Sequence, residues 1–106
     1  MLFGLPEPAI KKLRQVFAQD KCITHVWLYG SRAVGREKPA SDIDLCVEAP
    51  TLQLADLYLL ESRIDNLSLP WKIDLSLKHQ IDNPALIGHI ESFGIDFLKG
   101  LSIVKT

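Results

Sequence analysis

The chain reads as an α/β (α+β) fold: a small mixed β-sheet with helices packed on one face and the other face left open. Three observations predict it. The runs Asp42–Val47 and Trp71–Leu77 alternate between polar and apolar residues. The β-branched and aromatic run Ile23–Tyr29 ends at a glycine, as a strand entering a turn does. Apolar residues at helical spacing fill the segments between these runs.

Each element can be justified in order. Pro6 and Pro8 precede a helix carrying Ile10, Leu13 and Phe17 on one face. The first strand, Ile23–Tyr29, leads through a loop into the second, Asp42–Glu48. Pro50-Thr51 starts a second helix with Thr51 as N-cap and a stripe of Leu57, Leu60, Ile64 and Leu67. Leu54, Tyr58 and Leu59 lie off that stripe; a broadly buried helix is the expectation for them, and a partner surface the alternative. The strand Trp71–Leu77 follows. Asn83-Pro84 is a cap followed by a first helical residue, opening a third helix with Leu86, Ile90 and Phe93 and with Gly94 as its C′ residue. Ile95–Leu98 reads as a last short strand. The order is α, β, β, α, β, α, β.

At 106 residues the chain is expected to form one domain, 1–106, with one core. A net charge of −1, without a basic stripe interleaved with aromatics, argues against direct DNA binding. No apolar stretch is long enough for a membrane span, and the N-terminus lacks a signal-peptide layout. Cys22 and Cys46 have no metal-ligand spacing and read as reduced thiols, so a cytoplasmic setting is expected. His25, His79 and His89 form no spacing that a metal or nucleophile site requires, and structural roles are expected for them.

The most informative segment is Gly30–Leu45, GSRAVGREKPASDIDL. On the second strand Ile43, Leu45 and Val47 share one face, and Asp42, Asp44 and Cys46 the other. Carboxylates two residues apart on a strand lie roughly 6–7 Å apart at the backbone, so their side chains can converge on the same ions. Alone they repel, and one tends to take up a proton. A hard cation such as magnesium resolves the conflict, because it prefers oxygen ligands and completes its shell with water and phosphates. Two such ions about 3.5–4 Å apart can hold the attacking and leaving oxygens of a phosphoryl displacement. Gly30 permits close backbone approach to an anion, Ser31 adds a hydroxyl donor, and Ser31-Arg32-Ala33 can open a short helix with its N–H groups towards phosphate. On Trp71–Leu77, Asp74 shares a face with Lys72 and Ser76. If that strand pairs beside the second, Asp74 joins the carboxylate pair and can accept a proton from an attacking hydroxyl. Taken singly, a DxD pair or a lone strand aspartate is usually a solvated polar face, and a Gly-Ser after a strand just a turn. Together, in this order, they have a single chemical use.

The matching residues Gly30, Ser31, Arg32, Ala33, Gly35, Pro39, Ser41, Asp42, Ile43, Asp44, Leu45 and Asp74 resemble the signature of the DNA polymerase β-like nucleotidyltransferase superfamily, specifically its minimal nucleotidyltransferase branch. The resemblance spans nearly the whole chain. It implies that Gly30 and Ser31, with Arg32 beside them, bind a nucleoside triphosphate, and that Asp42, Asp44 and Asp74 form a triad holding magnesium, with two ions expected. Val34 departs from the pattern, since many relatives carry a basic residue there; Arg36 and Lys38 remain nearby and read as solvated loop charges. The implied reaction is transfer of a nucleoside monophosphate, AMP from ATP, to an acceptor hydroxyl with release of pyrophosphate. Relatives often work beside a separately encoded, all-helical HEPN-type protein. A rival reading follows: an antitoxin-like binding subunit of a two-protein toxin-antitoxin pair, with nucleotide chemistry secondary or lost. Transfer to a small molecule such as an aminoglycoside is a third option.

Overall fold

The computed structural model describes residues 2–99; the extreme ends of the expected 1–106 unit lie outside the described residues. Helix α1 spans Glu7–Ala18, strand β1 His25–Tyr29, β2 Ile43–Glu48, helix α2 Leu54–Asp65, β3 Ile73–Leu77, helix α3 Pro84–Phe93 and β4 Ile95–Asp96, with a short 3-10 turn at Lys78–Gln80. The element order matches the expectation. The four strands lie in the order β3-β2-β1-β4. β1 is antiparallel to β2 and β4, whereas β2 and β3 run parallel. A parallel pair needs a crossover, and α2 supplies it.

The strands are shorter than the sequence pattern suggests, because polar capping contacts take over at their ends. Thr24 still donates its N–H and hydroxyl to the Glu48 carbonyl, at 2.9 and 2.8 Å, but β1 begins at His25. β2 begins at Ile43, leaving Asp42 just ahead of it. β3 begins at Ile73 rather than Trp71, whose indole is engaged elsewhere. β4 stops after Asp96, whose carboxylate accepts the Leu98 N–H at 3.1 Å and turns the chain.

Helix ends show similar local corrections. The cap of α2 is Gln53, not Thr51, and the Asp56 carboxylate reaches back to the Gln53 N–H at 2.8 Å. At α3 the Asn83 side chain accepts from the N–H groups of Ala85 and Leu86, as its sequence predicts. Gly94 ends α3 in an extended rather than left-handed conformation. A side chain there would collide with the Ile90 carbonyl, so close approach explains this glycine.

The main core lies between one sheet face and α1 and α2. Val26, Leu28, Ile43, Leu45, Val47, Leu75 and Leu77 meet Leu13, Phe17, Leu57, Leu60 and Ile64 there. Phe97, fully buried, closes this core edge-on to Phe17 at 6.4 Å. The expectation of helices on one face describes α1 and α2. Helix α3 crosses part of the opposite face, where Ile90 packs on Tyr29 and Cys46, with Trp27, Ile81 and Leu86 at the margin. Phe93, expected on the α3 stripe, is 55% exposed. Leu54, Tyr58 and Leu59 are also exposed, at 46%, 57% and 60%, so α2 is not broadly buried.

Candidate active site

The parallel register of β2 and β3 aligns Asp44 with Asp74, and the antiparallel register of β1 and β2 aligns Tyr29 with Asp44. Tyr29, Asp44 and Asp74 thus form one row across three strands, on the face opposite the main core. Adjacent strands lie about 4.8 Å apart, so the backbones of the two aspartates are near neighbours. Asp42 precedes Asp44 by two positions and is exposed. The sheet therefore brings all three sequence-predicted carboxylates to one end of one face.

The Gly-Ser turn sits directly on this row. Gly30 follows Tyr29 with φ +77°, the left-handed region that glycine tolerates and other residues resist. A Cβ on Gly30 would also fall on the Asp44 carboxylate. The turn is a single coil, not a helix: Ala33 and Val34 N–H groups return to the Gly30 carbonyl at 3.1 and 3.3 Å, and Arg36 N–H to the Ser31 carbonyl at 2.9 Å. The helix expected at Ser31-Arg32-Ala33 does not form. Among the described residues, the main-chain N–H groups of Ser31 and Arg32 have no protein partner. Successive unpaired N–H groups in such a turn make an anion-binding concavity.

Arg32, expected to contact the nucleotide, has another place. Its side chain is 2% exposed and points into the protein rather than to solvent. Nη1 donates to the Phe3 carbonyl at 2.8 Å, Nε to Ser41 at 3.2 Å, and Nη2 to Pro39 and Ser41 at 3.2 and 2.8 Å. The indole N–H of Trp71 donates to the same Pro39 carbonyl at 2.8 Å. Ser41 Oγ accepts the Lys38 N–H at 2.8 Å. The loop between turn and DxD strand is thus held by side-chain-to-main-chain hydrogen bonds centred on the buried Arg32, which explains Arg32, Pro39 and Ser41 as framework.

Electrostatics follow from this crowding. Burial, then the charges of Asp74 and Asp42, raise the Asp44 carboxyl above the usual carboxylate range; His89 and Lys72 oppose them. Burial also pushes up the Tyr29 phenol and the Cys46 thiol. Cys46 is buried and Cys22 exposed, both as free thiols. Among the described residues no group of three or more His, Cys, Asp or Glu side chains converges into a ready-made metal cage. The donor set still fits a hard divalent ion: it is all carboxylate, and Asp44 carries repulsion that a cation would relieve.

Sequence reasoning missed His89. Its Nε2 accepts the Gly30 N–H at 3.1 Å, and its ring lies edge-on to Tyr29 at 6.1 Å and tilted against Phe93 at 5.3 Å. No spacing along the chain connects residues 59 apart. The one local signal is its position three residues after Leu86 and next to Ile90, the two residues by which α3 packs on the sheet. His25 is structural, stacked on Trp27 at 5.1 Å.

Fold and site together define a polymerase β-like nucleotidyltransferase core. The family model described as polymerase beta, nucleotidyltransferase matches residues 11–98, and the chain belongs to that family. Among solved structures, the chain is similar to one in the crystal structure of "the toxin-antitoxin with AMP-PNP", at TM-score 0.66 and 24% identity, covering 88% of this chain and 73% of that one. It is similar as well to a chain in a mutant of "the toxin-antitoxin MntA-HpeT", at TM-score 0.63 and 21% identity, covering 88% and 72%. No curated protein matches the sequence. No helix among the described residues is long and apolar enough to cross a membrane.

Proposed function

We propose that this chain transfers AMP from ATP to a hydroxyl acceptor, working beside a separately encoded, helical HEPN-type protein in a toxin-antitoxin pair. The observation that carries the reading is the Asp44–Asp74 register, with the Gly30 turn pressed onto Asp44. A cation-seeking carboxylate pair and an anion-seeking turn meet at one spot. Asp42, Asp44 and Asp74 would hold magnesium, which when bound supplies charge neutralisation for the phosphates and for the developing oxyanions. The unpaired N–H groups of Ser31 and Arg32, with the Ser31 hydroxyl, would hold the outer phosphates. Arg32 contributes its main chain here, while its guanidinium supports the loop. Asp74 takes the proton of the acceptor hydroxyl as its oxygen bonds to the α-phosphorus. The bond from that phosphorus to the bridging oxygen breaks, and pyrophosphate leaves.

The toxin-antitoxin setting draws on the solved structures to which the chain is similar, one of them with AMP-PNP. The mutant among them changes two aspartates two positions apart to glutamates, the spacing of Asp42 and Asp44. The exposed Leu54, Tyr58 and Leu59 favour a binding role in addition to catalysis. Positioning of the acceptor by a partner is worth a great deal, since effective molarities can reach on the order of 10⁵ M. The lone chain is therefore expected to bind nucleotide but to transfer slowly.

The test is copurification of the native complex, followed by intact-mass measurement of both chains with and without magnesium and ATP. A mass gain of one AMP on the partner, lost in Asp44→Asn, supports the reading. A complex that forms but gains no mass would leave the antitoxin role and remove the transferase one. Fast transfer to a free small-molecule alcohol by the lone chain would overturn the need for a partner.

A further inference from the structure

The Gly30 N–H donates to His89 Nε2 at 3.1 Å, whereas the next two N–H groups, of Ser31 and Arg32, have no protein partner among the described residues. Because Nε2 accepts, the neutral imidazole carries its proton on Nδ1. The ring is confined on two sides, by Tyr29 at 6.1 Å and Phe93 at 5.3 Å, and its helix is anchored on the sheet through Ile90. The Asp44 carboxylate fills the space that a side chain on Gly30 would need. The main chain entering the phosphate turn thus lies close to the Asp44 carboxylate and donates to the His89 imidazole.

We infer that His89 is a positioning residue for phosphate binding: by holding the Gly30 N–H it orients the Ser31 and Arg32 N–H groups towards the outer phosphates of the nucleotide. The inference rests on the nucleotidyl-transfer reading above and assigns α3 a part in it. His89 acts through main chain and need not touch the substrate. Its loss should relax the turn and weaken triphosphate binding more than it slows the bound complex. Glutamine can offer a side-chain oxygen in place of Nε2; leucine keeps bulk without an acceptor.

The experiment compares wild type, His89→Gln and His89→Leu in the full chain, by amide hydrogen exchange at Gly30 and by equilibrium binding of magnesium with AMP-PNP and with AMP. Exchange at Gly30 is expected to speed up in His89→Leu and to stay slow in His89→Gln. AMP-PNP affinity should fall roughly three- to tenfold in His89→Leu, the range of one neutral hydrogen bond, with recovery in His89→Gln and little change for AMP. In the complex, KM should rise more than kcat falls. Unchanged AMP-PNP affinity in His89→Leu, or an equal loss for AMP, would overturn the role of His89 while leaving nucleotidyl transfer standing. Wild-type protein that bound no nucleotide would instead overturn the reading on which the inference rests. If His89→Leu does not fold, an affinity in His89→Gln matching wild type with slow Gly30 exchange supports the role, and a tenfold loss with slow exchange overturns it.

Discussion

The Asp44 carboxylate occupies the space into which a side chain on Gly30 would project. Two residues fourteen positions apart in sequence are thereby coupled, since a side chain at Gly30 would displace the Asp44 carboxylate. Gly30 also has φ +77°, so an added methyl group meets strain as well as a collision.

Gly30→Ala should therefore lower stability by about 1–3 kcal/mol and abolish triphosphate binding. Denaturant titration and AMP-PNP binding read the two effects. Combining it with Asp44→Ala should relieve the collision but not the backbone strain, giving a non-additive double-mutant cycle. Strict additivity would show that the two residues are independent.

Asp44→Asn should abolish transfer while leaving the metal-free protein as stable or more stable. The sign follows from the raised proton affinity of Asp44. In the folded state its charged form is penalised by burial, Asp74 and Asp42. That penalty is present above the raised folded-state value and disappears as pH falls below the unfolded value, about 3.9. The contribution of Asp44 to stability thus improves with acidification, and asparagine removes this dependence. Melting curves of both proteins across that window, without magnesium, check it. Magnesium should raise the melting temperature of wild type and have a smaller effect on the variant.

Asp74→Ala should reduce turnover more than nucleotide affinity, because its proposed work is on the acceptor proton and the metal. Equilibrium binding of AMP-PNP beside kcat of the complex separates the two. An affinity loss as large as the rate loss would make Asp74 chiefly a nucleotide-holding residue.

Arg32→Met should destabilise the protein by about 3 kcal/mol or more. Its guanidinium donates to the carbonyls of Phe3, Pro39 and Ser41, and each hydrogen bond from a charged group contributes roughly 1.5–3 kcal/mol. Lysine should not rescue, since one ammonium cannot span the same fork of acceptors. Urea denaturation measures both. A loss confined to nucleotide affinity would return Arg32 to the ligand role its sequence position suggests.

Much of this protein is legible in one dimension. Alternation in Ile43–Glu48 and Ile73–Leu77 assigns each side chain a face, because the strand period is two, and so Asp44 and Asp74 were readable as outward-facing. The helical stripe of Leu57, Leu60 and Ile64 was equally readable from a local period. The Gly-Ser turn and the DxD pair are contiguous, and their chemistry is carried by residue type and spacing.

What the tertiary structure alone decided depends on contacts between distant segments. Register between β2 and β3 set Asp44 beside Asp74, and only the packing of α3 on the second face brought His89 to Gly30. Arg32 looks like a phosphate ligand from its place after Gly-Ser, yet it is buried, because the main-chain carbonyls of Phe3, Pro39 and Ser41 converge where it enters the fold. A side chain's type states what bonds it can make. Which partners are within reach is decided by segments that the sequence keeps apart, and a buried polar group takes whichever of them satisfies it, since leaving it unpaired costs more than any local preference supplies.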